Sequence, residues 1–513
     1  MNNLLILYGA NLSSHAFEPL LNGKNAVELA VEQAKKFPGI AKTVLFASSK
    51  IDNFSFLNDV EIEKRDSWSK HSLLTRIAEL QEGFDCIYFT FADTPFLDPV
   101  LAGKIAERHF KYAAEYSYAD GWPYGLTPEI LSRGTAGILT KIISAEKESG
   151  SEPVERDILF SVIQKDINAF DIEAEISSVD LRCHRLNLCA DSKRNLLLLE
   201  NFIKAADGNI PETTLIEKTI QEKPSILRTL PVFYPIQIYG GCPQKCSICP
   251  YPSFADAQGR KDFMEFNQFE PLLDKIISFS GDAVIDLSLW GELSLHPQKD
   301  KLIEAVVSRQ ELDLVIETSG IGWKNEELEK YKQLNRKISW IVSLDTNDSQ
   351  RYQQLRGAGF AEAQACVKKL FSLFPEDSYV QAVRIKGEEQ DTEAFYRYWK
   401  DNAPNGEKNI IIQKYDDFCG SLEKKQASDI SPVIRQSCWH IMRDFPILID
   451  GSVPLCREDT SVFKGDKNRI LGNVFTDTLE NIWQNGEIHY NNHCNKNYIG
   501  ICANCDEYYT YNF

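Results

Sequence analysis

The chain offers little that an export pathway, a membrane or a nucleic acid would use. No apolar run reaches the length that spans a bilayer: the amino terminus opens with Leu4-Leu5-Ile6-Leu7, carries no flanking basic residue, and is cut short by Tyr8-Gly9. A cytoplasmic protein is expected. Basic side chains are in the minority, 56 against 74 acidic ones, and the formal charge of −18 repels phosphate backbones and anionic lipid surfaces. Neither nucleic acid nor a membrane is an expected partner. Internal repeats and low-complexity tracts are absent, so 513 residues are left to divide among about three globular domains. Histidine is scarce where thiols are dense, with none between His184 and His296. Thirteen cysteines in a chain without an export signal argue for thiolate-held metal rather than disulfides.

Three of those cysteines stand in Cys242-Pro-Gln-Lys-Cys246-Ser-Ile-Cys249, directly after the apolar run Val232 to Tyr239. Three thiolates fill three corners of a cubane 4Fe-4S cluster, and no fourth cysteine stands closely enough to ligate the remaining iron. That iron is left open for a small molecule. Gly240-Gly241 permits a tight turn from strand to loop, while Pro243, Pro250 and Pro252 stiffen the loop itself. A zinc site is the alternative, because closely spaced cysteines also suit tetrahedral zinc once a fourth Cys or His completes the set.

In spacing and strand context the loop resembles that of the radical S-adenosylmethionine (SAM) family. From Val232 to Lys414 the strands Val232–Tyr239, Ala283–Leu289, Leu314–Thr318, Ile338–Leu344, Tyr379–Ile385 and Asn409–Lys414 alternate with amphipathic helices, which suits a partial (β/α)6 barrel of the TIM type. The resemblance implies a 4Fe-4S cluster and SAM as cofactors. It places Gly291 and Glu292 of Trp290-Gly291-Glu292 at the SAM amino group, Ser343 and Asp345 near its ribose or carboxylate, and Arg384 where a guanidinium grips a carboxylate. Glu317-Thr318-Ser319-Gly320 stands in place of the usual Thr-Asn-Gly, and Leu355-Arg356-Gly357 matches a recurring turn. The implied chemistry is one-electron cleavage of SAM to methionine and a 5′-deoxyadenosyl radical, with flavodoxin or ferredoxin as an electron donor. No catalytic residue is assigned.

Residues 1–205 alternate strand and helix, which predicts a parallel, doubly wound sheet with its site at the carboxyl ends of the strands. Gly9 to Pro19 and Asp93-Thr94-Pro95-Phe96-Leu97 resemble nucleotidyltransferases such as the CMP-Kdo synthetases and the molybdenum cofactor guanylyltransferases. Asp93 stands at that family's metal aspartate. His15 and Glu18 replace its phosphate-binding arginine and lysine, a change that turns attraction for phosphate into repulsion. The domain is therefore expected to be degenerate. Residues 206–230, with Gly208, Pro211, Pro224 and Pro231 around a short helix, read as a linker to a barrel over 231–430.

Residues 431–513 carry Cys438, then Cys456 after 17 intervening residues, and Cys502-Ala-Asn-Cys505. With the Gly451 hairpin and Leu471-Gly472-Asn473-Val474 before an Ile-Trp helix, they resemble the SPASM and Twitch extensions of radical SAM enzymes. The resemblance implies one auxiliary 4Fe-4S cluster on Cys438, Cys456, Cys502 and Cys505. A structural zinc is the alternative, and Cys494 is a candidate to replace one ligand. Cys86, Cys183, Cys189, Cys366 and Cys419 receive no chemistry. The whole order resembles the spiro-SPASM family, which implies no substrate. A peptide or protein is the expected target, with a sugar or nucleotide-linked small molecule and a non-catalytic metal-stabilised scaffold as alternatives.

Overall fold

The computed structural model describes residues 1–50, 54, 56–144, 152–258, 262–428, 431–466 and 468–510, in two compact units, 1–229 and 230–513. The first unit is built on seven strands: β1 (Asn3–Gly9), β2 (Ile40–Ser48), β3 (Glu61–Arg65), β4 (Cys86–Phe91), β5 (Tyr116–Asp120), β6 (Glu129–Ser132) and β7 (Ile172–Ile176). They lie in the order β3-β2-β1-β4-β6-β5-β7. Both β1 and β4 are buried along their whole length, as expected of central strands covered on two faces. The sheet departs from the expected all-parallel form in one strand. β6 runs antiparallel to both of its neighbours, β4 and β5, while the remaining pairs are parallel. The helix Pro99–Lys111 follows β4 and leads into β5.

The segment expected as a linker contains the helix Thr213–Glu222 and lies within the first unit. The Thr213 hydroxyl donates to Asp98, which also caps the helix Pro99–Lys111, and the Trp122 indole donates to Glu217 at 2.8 Å. These hydrogen bonds fix the helix to its own domain.

The second unit is a curled parallel sheet of six strands in sequence order, β8 (Phe233–Pro235), β9 (Ala283–Asp286), β10 (Leu312–Thr318), β11 (Ile338–Ser343), β12 (Ser378–Arg384) and β13 (Ile410–Lys414), all six where the alternation puts them. β8 is shorter than its apolar run. Beyond Pro235 the chain turns to the carboxy-terminal segment: Gln237 N–H donates to Ile447 O, while Phe445 and Ile447 donate back to Phe233 and Pro235. That segment covers the open edge of the half barrel, whose bare N–H and C=O groups would otherwise be exposed. One apolar core runs from the barrel into Phe445, Ile447, Val453, Leu479 and Trp483. Val453, on the hairpin of β14 (Ser452–Pro454) and β15 (Ile470–Asn473), thus shares the barrel's core, while Cys438, Ile441, Leu455, Tyr490, Cys502 and Tyr508 form a smaller cluster of their own.

Candidate active site and thiol cavity

Cys242, Cys246 and Cys249 lie half-buried on the loop after β8, with no disulfide. The three sulfurs sit within electrostatic reach of one another, and burial pushes the thiols of Cys242 and Cys249 up to about 12 and raises Cys246. Such thiols become thiolates only beside concentrated positive charge, which an iron-sulfur core supplies.

Two structures hold this loop. The first is the turn after the helix Ser349–Leu355. Ser247 and Lys245 N–H groups donate to Leu355 and Arg356 carbonyls at 2.8 and 3.2 Å. The Arg356 guanidinium donates to the Gln244 side-chain oxygen at 2.9 Å and to Asp345 at 2.5 Å, and Gln244 donates to the Tyr352 hydroxyl. Arg356, Asp345 and Gln244 are all buried, so the loop is clamped by a fully paired internal network. The second is Trp290-Gly291-Glu292. Glu292 N–H donates to Gly241 O at 2.9 Å, and the Gln237 amide donates to Trp290 O at 3.0 Å. A Cβ on Gly291 would stand 1.9 Å from the carbonyl oxygen of Tyr239, so only glycine allows this approach. Gly291→Ala is expected to force the two backbones apart, lowering the stability of the second unit by about 1–3 kcal/mol and weakening SAM binding; scanning calorimetry and SAM titration check both.

The polar strand ends largely serve one another. Glu292, buried, accepts hydrogen bonds from the hydroxyls of Thr318 and Ser319 and from the Ser319 N–H at 2.6–2.8 Å, which ties the end of β9 to the end of β10. Ser343 donates to Glu317 at 2.8 Å, and Gln381 donates to the same oxygen at 2.7 Å. Asp345 accepts from Val383 N–H as well as from Arg356. Burial pushes the Asp286 carboxyl at the end of β9 up to about 6. Arg384 is exposed at the end of β12. Sequence reading missed Gln244 and Gln381 and gave Glu317 no role of its own, because their roles depend on tertiary partners. On the helix that follows the loop, Phe254 stacks on Phe463 at 4.4 Å, and Trp290 sets its ring against Phe254, Phe463 and Phe418 at 5.4–6.0 Å. This aromatic cluster is suited to keeping water from the site.

Cys438, Cys456, Cys502 and Cys505 meet at a second place, a cavity that Cys419 also lines. Cys438 comes from the residue that caps the helix Trp439–Arg443, and Cys456 from just after β14. Burial raises the thiols of Cys438, Cys456 and Cys502. Arg469 donates to the Cys502 sulfur at 3.4 Å and Glu507 N–H to the Cys505 sulfur at 3.3 Å, contacts that stabilise thiolates. Cys494 is not among the lining residues; its thiol pairs with Tyr490 and Ser437. Among the described residues no three His, Cys, Asp or Glu side chains converge as ligands of a single metal ion. The thiols ring a space instead.

In the first unit, Asp93 is buried and held on both oxygens by Arg156, at 3.0 and 2.6 Å, and Arg156 also donates to Asp191 at 3.1 Å. His15 pairs with Glu18 at 2.6 Å and Lys24 with Glu32 at 2.5 Å.

Comparison with known proteins is informative once these sites are placed. Residues 236–398 match the radical SAM superfamily, and residues 438–506 match SPASM, an iron-sulfur cluster-binding domain. An uncharacterized protein of Treponema pallidum (strain Nichols) is 32% identical over 369 residues, covering 69% of this chain and 98% of its own length. The antilisterial bacteriocin subtilosin biosynthesis protein AlbA of Bacillus subtilis (strain 168) is 22% identical over 314 residues, 54% of this chain and 67% of its own. Among solved structures, a cytidylyltransferase from Leptospira borgpetersenii serovar Hardjo-bovis (strain JB197) aligns with a TM-score of 0.37 at 14% identity, over 44% of this chain and 95% of its own.

Proposed function

We propose a reaction from one premise: the chain belongs to the radical SAM superfamily, enzymes that use a 4Fe-4S cluster and SAM, and it carries a SPASM domain for an auxiliary iron-sulfur cluster. On our reading Cys242, Cys246 and Cys249 hold the first cluster, and Cys438, Cys456, Cys502 and Cys505 the auxiliary one. Thiols ringing a space fit a cubane, whose irons each take one thiolate, better than zinc, whose four sulfurs lie about 2.3 Å from one point. A cluster and SAM held there would supply one-electron cleavage chemistry that activates a substrate C–H bond.

The protein's own contribution is placement. The observation that carries the reading is the double clamp on the three-thiol loop, by the Arg356 network on one side and by Gly291 against Tyr239 on the other. We assign the Gly291–Glu292 backbone to the SAM amino group, the end of β11 with Ser343 and Asp345 to the ribose or carboxylate side, and the exposed Arg384 to a carboxylate. The aromatic cluster of Phe254, Trp290, Phe418 and Phe463 shields the radical from water.

We take the substrate to be a peptide or protein, on the similarity to a bacteriocin biosynthesis protein. The test is deuterium transfer into 5′-deoxyadenosine from deuterium-labelled cell fractions. Deuterium from the peptide fraction supports the reading, and deuterium only from the sugar and nucleotide fraction overturns it.

The first unit, on the same reading, transfers no nucleotides. Arg156 neutralises the aspartate that would hold a metal, and Glu18 and Glu32 already pair with His15 and Lys24 of the loop. Calorimetry with CTP, GTP, ATP and UTP plus magnesium is expected to show no micromolar binding. Tight binding with pyrophosphate release in the presence of a sugar contradicts it.

A further inference from the structure

The auxiliary cavity holds one thiol more than a cubane needs. A 4Fe-4S core offers one terminal position on each iron, and four cysteines fill those positions. Yet Cys419 lines the same cavity as Cys505 and Cys456, with its thiol within electrostatic reach of both.

The backbone that brings Cys419 there is unusual. Phe418 and Cys419 both adopt positive φ, 50° and 54°, a left-handed conformation that is strained for a non-glycine residue. Local hydrogen bonds sustain it: Asp416 accepts from Phe418 N–H at 2.7 Å and Asp417 from Gly420 N–H at 3.0 Å. A packing role does not account for this thiol. Cys86, Cys189 and Cys366 are buried as small apolar groups, whereas Cys419 is only half-buried and faces other sulfurs.

We propose that Cys419 is a fifth, exchangeable ligand of the auxiliary cluster, competing with Cys505 for one iron. The inference rests on the reading that this cavity holds a 4Fe-4S cluster. Exchange is a ligand substitution without electron transfer: the Cys419 sulfur bonds to iron as it gives up its proton, and the Cys505 sulfur leaves iron and takes that proton.

The test uses the full chain with Cys242, Cys246 and Cys249 changed to alanine, so that only the auxiliary cluster is counted. Iron per chain and the electron paramagnetic resonance spectrum after reduction are compared with and without Cys419→Ala, Cys505→Ala and both together. About four irons are expected with either single change, with a shifted spectrum in Cys505→Ala, and a fall of more than half in the double. Cys505→Ala alone losing as much iron as the double overturns the proposal. Zinc, or no metal, in the five-thiol background overturns the cluster reading and the exchange with it, a result distinct from iron that depends on Cys505 alone. Independently of how the variants fold, iodoacetamide footprinting of the iron-loaded background is expected to label Cys419 and Cys505 in shared proportion. Label on Cys419 alone contradicts exchange.

Discussion

Replacing Cys242, Cys246 and Cys249 together by alanine is expected to remove about four irons per chain, leaving only those of the auxiliary cluster, and to reduce SAM cleavage to background. The expectation rests on the chemistry of the loop. Its thiols are only half-buried, burial raises two of them to about 12, and on the proposed reading it is a metal cluster that makes them thiolates. Metal binding to a folded site also stabilises it by mass action. The iron-loaded parent should therefore melt above the triple variant, while the metal-free parent should melt with it. Iron analysis and calorimetry on both forms check this. A triple variant that keeps its full iron and cleaves SAM at the parent's rate contradicts the assignment.

Arg356→Met is expected to lower the stability of the second unit by about 3 kcal/mol, the low end of the cost of breaking a buried ion pair by removing one partner. The reason is what remains. Asp345 would stay buried with only the Val383 N–H to support it, and the Gln244 oxygen would lose its donor. The clamp on the cluster loop would be released at the same time, so iron retention should fall along with stability. The double variant Arg356→Met with Asp345→Leu removes both charges and is expected to recover much of the stability, because burying two apolar groups leaves no unpaired ion. Recovery of stability without recovery of iron retention would show that the pair positions the loop. Denaturant titration with parallel iron analysis separates the two effects. A single variant as stable as the parent would show that the buried pair carries no net weight.

The barrel was legible in the sequence because its strands read as apolar runs broken by amphipathic helices, even in β13, which has no fully buried residue. Two strands were overestimated: β9 ends at Asp286 rather than Leu289, and the run Val232 to Tyr239 is continuous, but beyond Ile236, which still donates to Asp286, Gln237 turns to Ile447. The antiparallel β6 was not legible. Its four residues, Glu-Ile-Leu-Ser, carry no signal of direction, which is fixed by the neighbours they meet. The linker reading weighed Gly208, Pro211 and Pro224 above the helix between them, and the hydrogen bonds of Thr213 and Glu217 to partners about a hundred positions away were invisible to it. At the site, motif spacing pointed to the seven cysteines and to Gly291, whose need for glycine has a measurable cause in the Tyr239 carbonyl. Spacing could not point to Cys419. It belongs to no motif, and only the fold of the loop after β13 brings it beside Cys505. Arg156 was missed for the same reason: Asp93 reads as a metal ligand in the sequence, and only the fold puts a guanidinium on both of its oxygens.

The central claim is that the clamped three-thiol loop supports reductive cleavage of SAM. It is tested most directly by anaerobic incubation of the iron-reconstituted chain with SAM, with and without dithionite, followed by chromatography for 5′-deoxyadenosine and methionine. The account predicts both products in equal amounts, dependent on the reductant. An iron-loaded, reduced chain that binds SAM and releases no 5′-deoxyadenosine would contradict it.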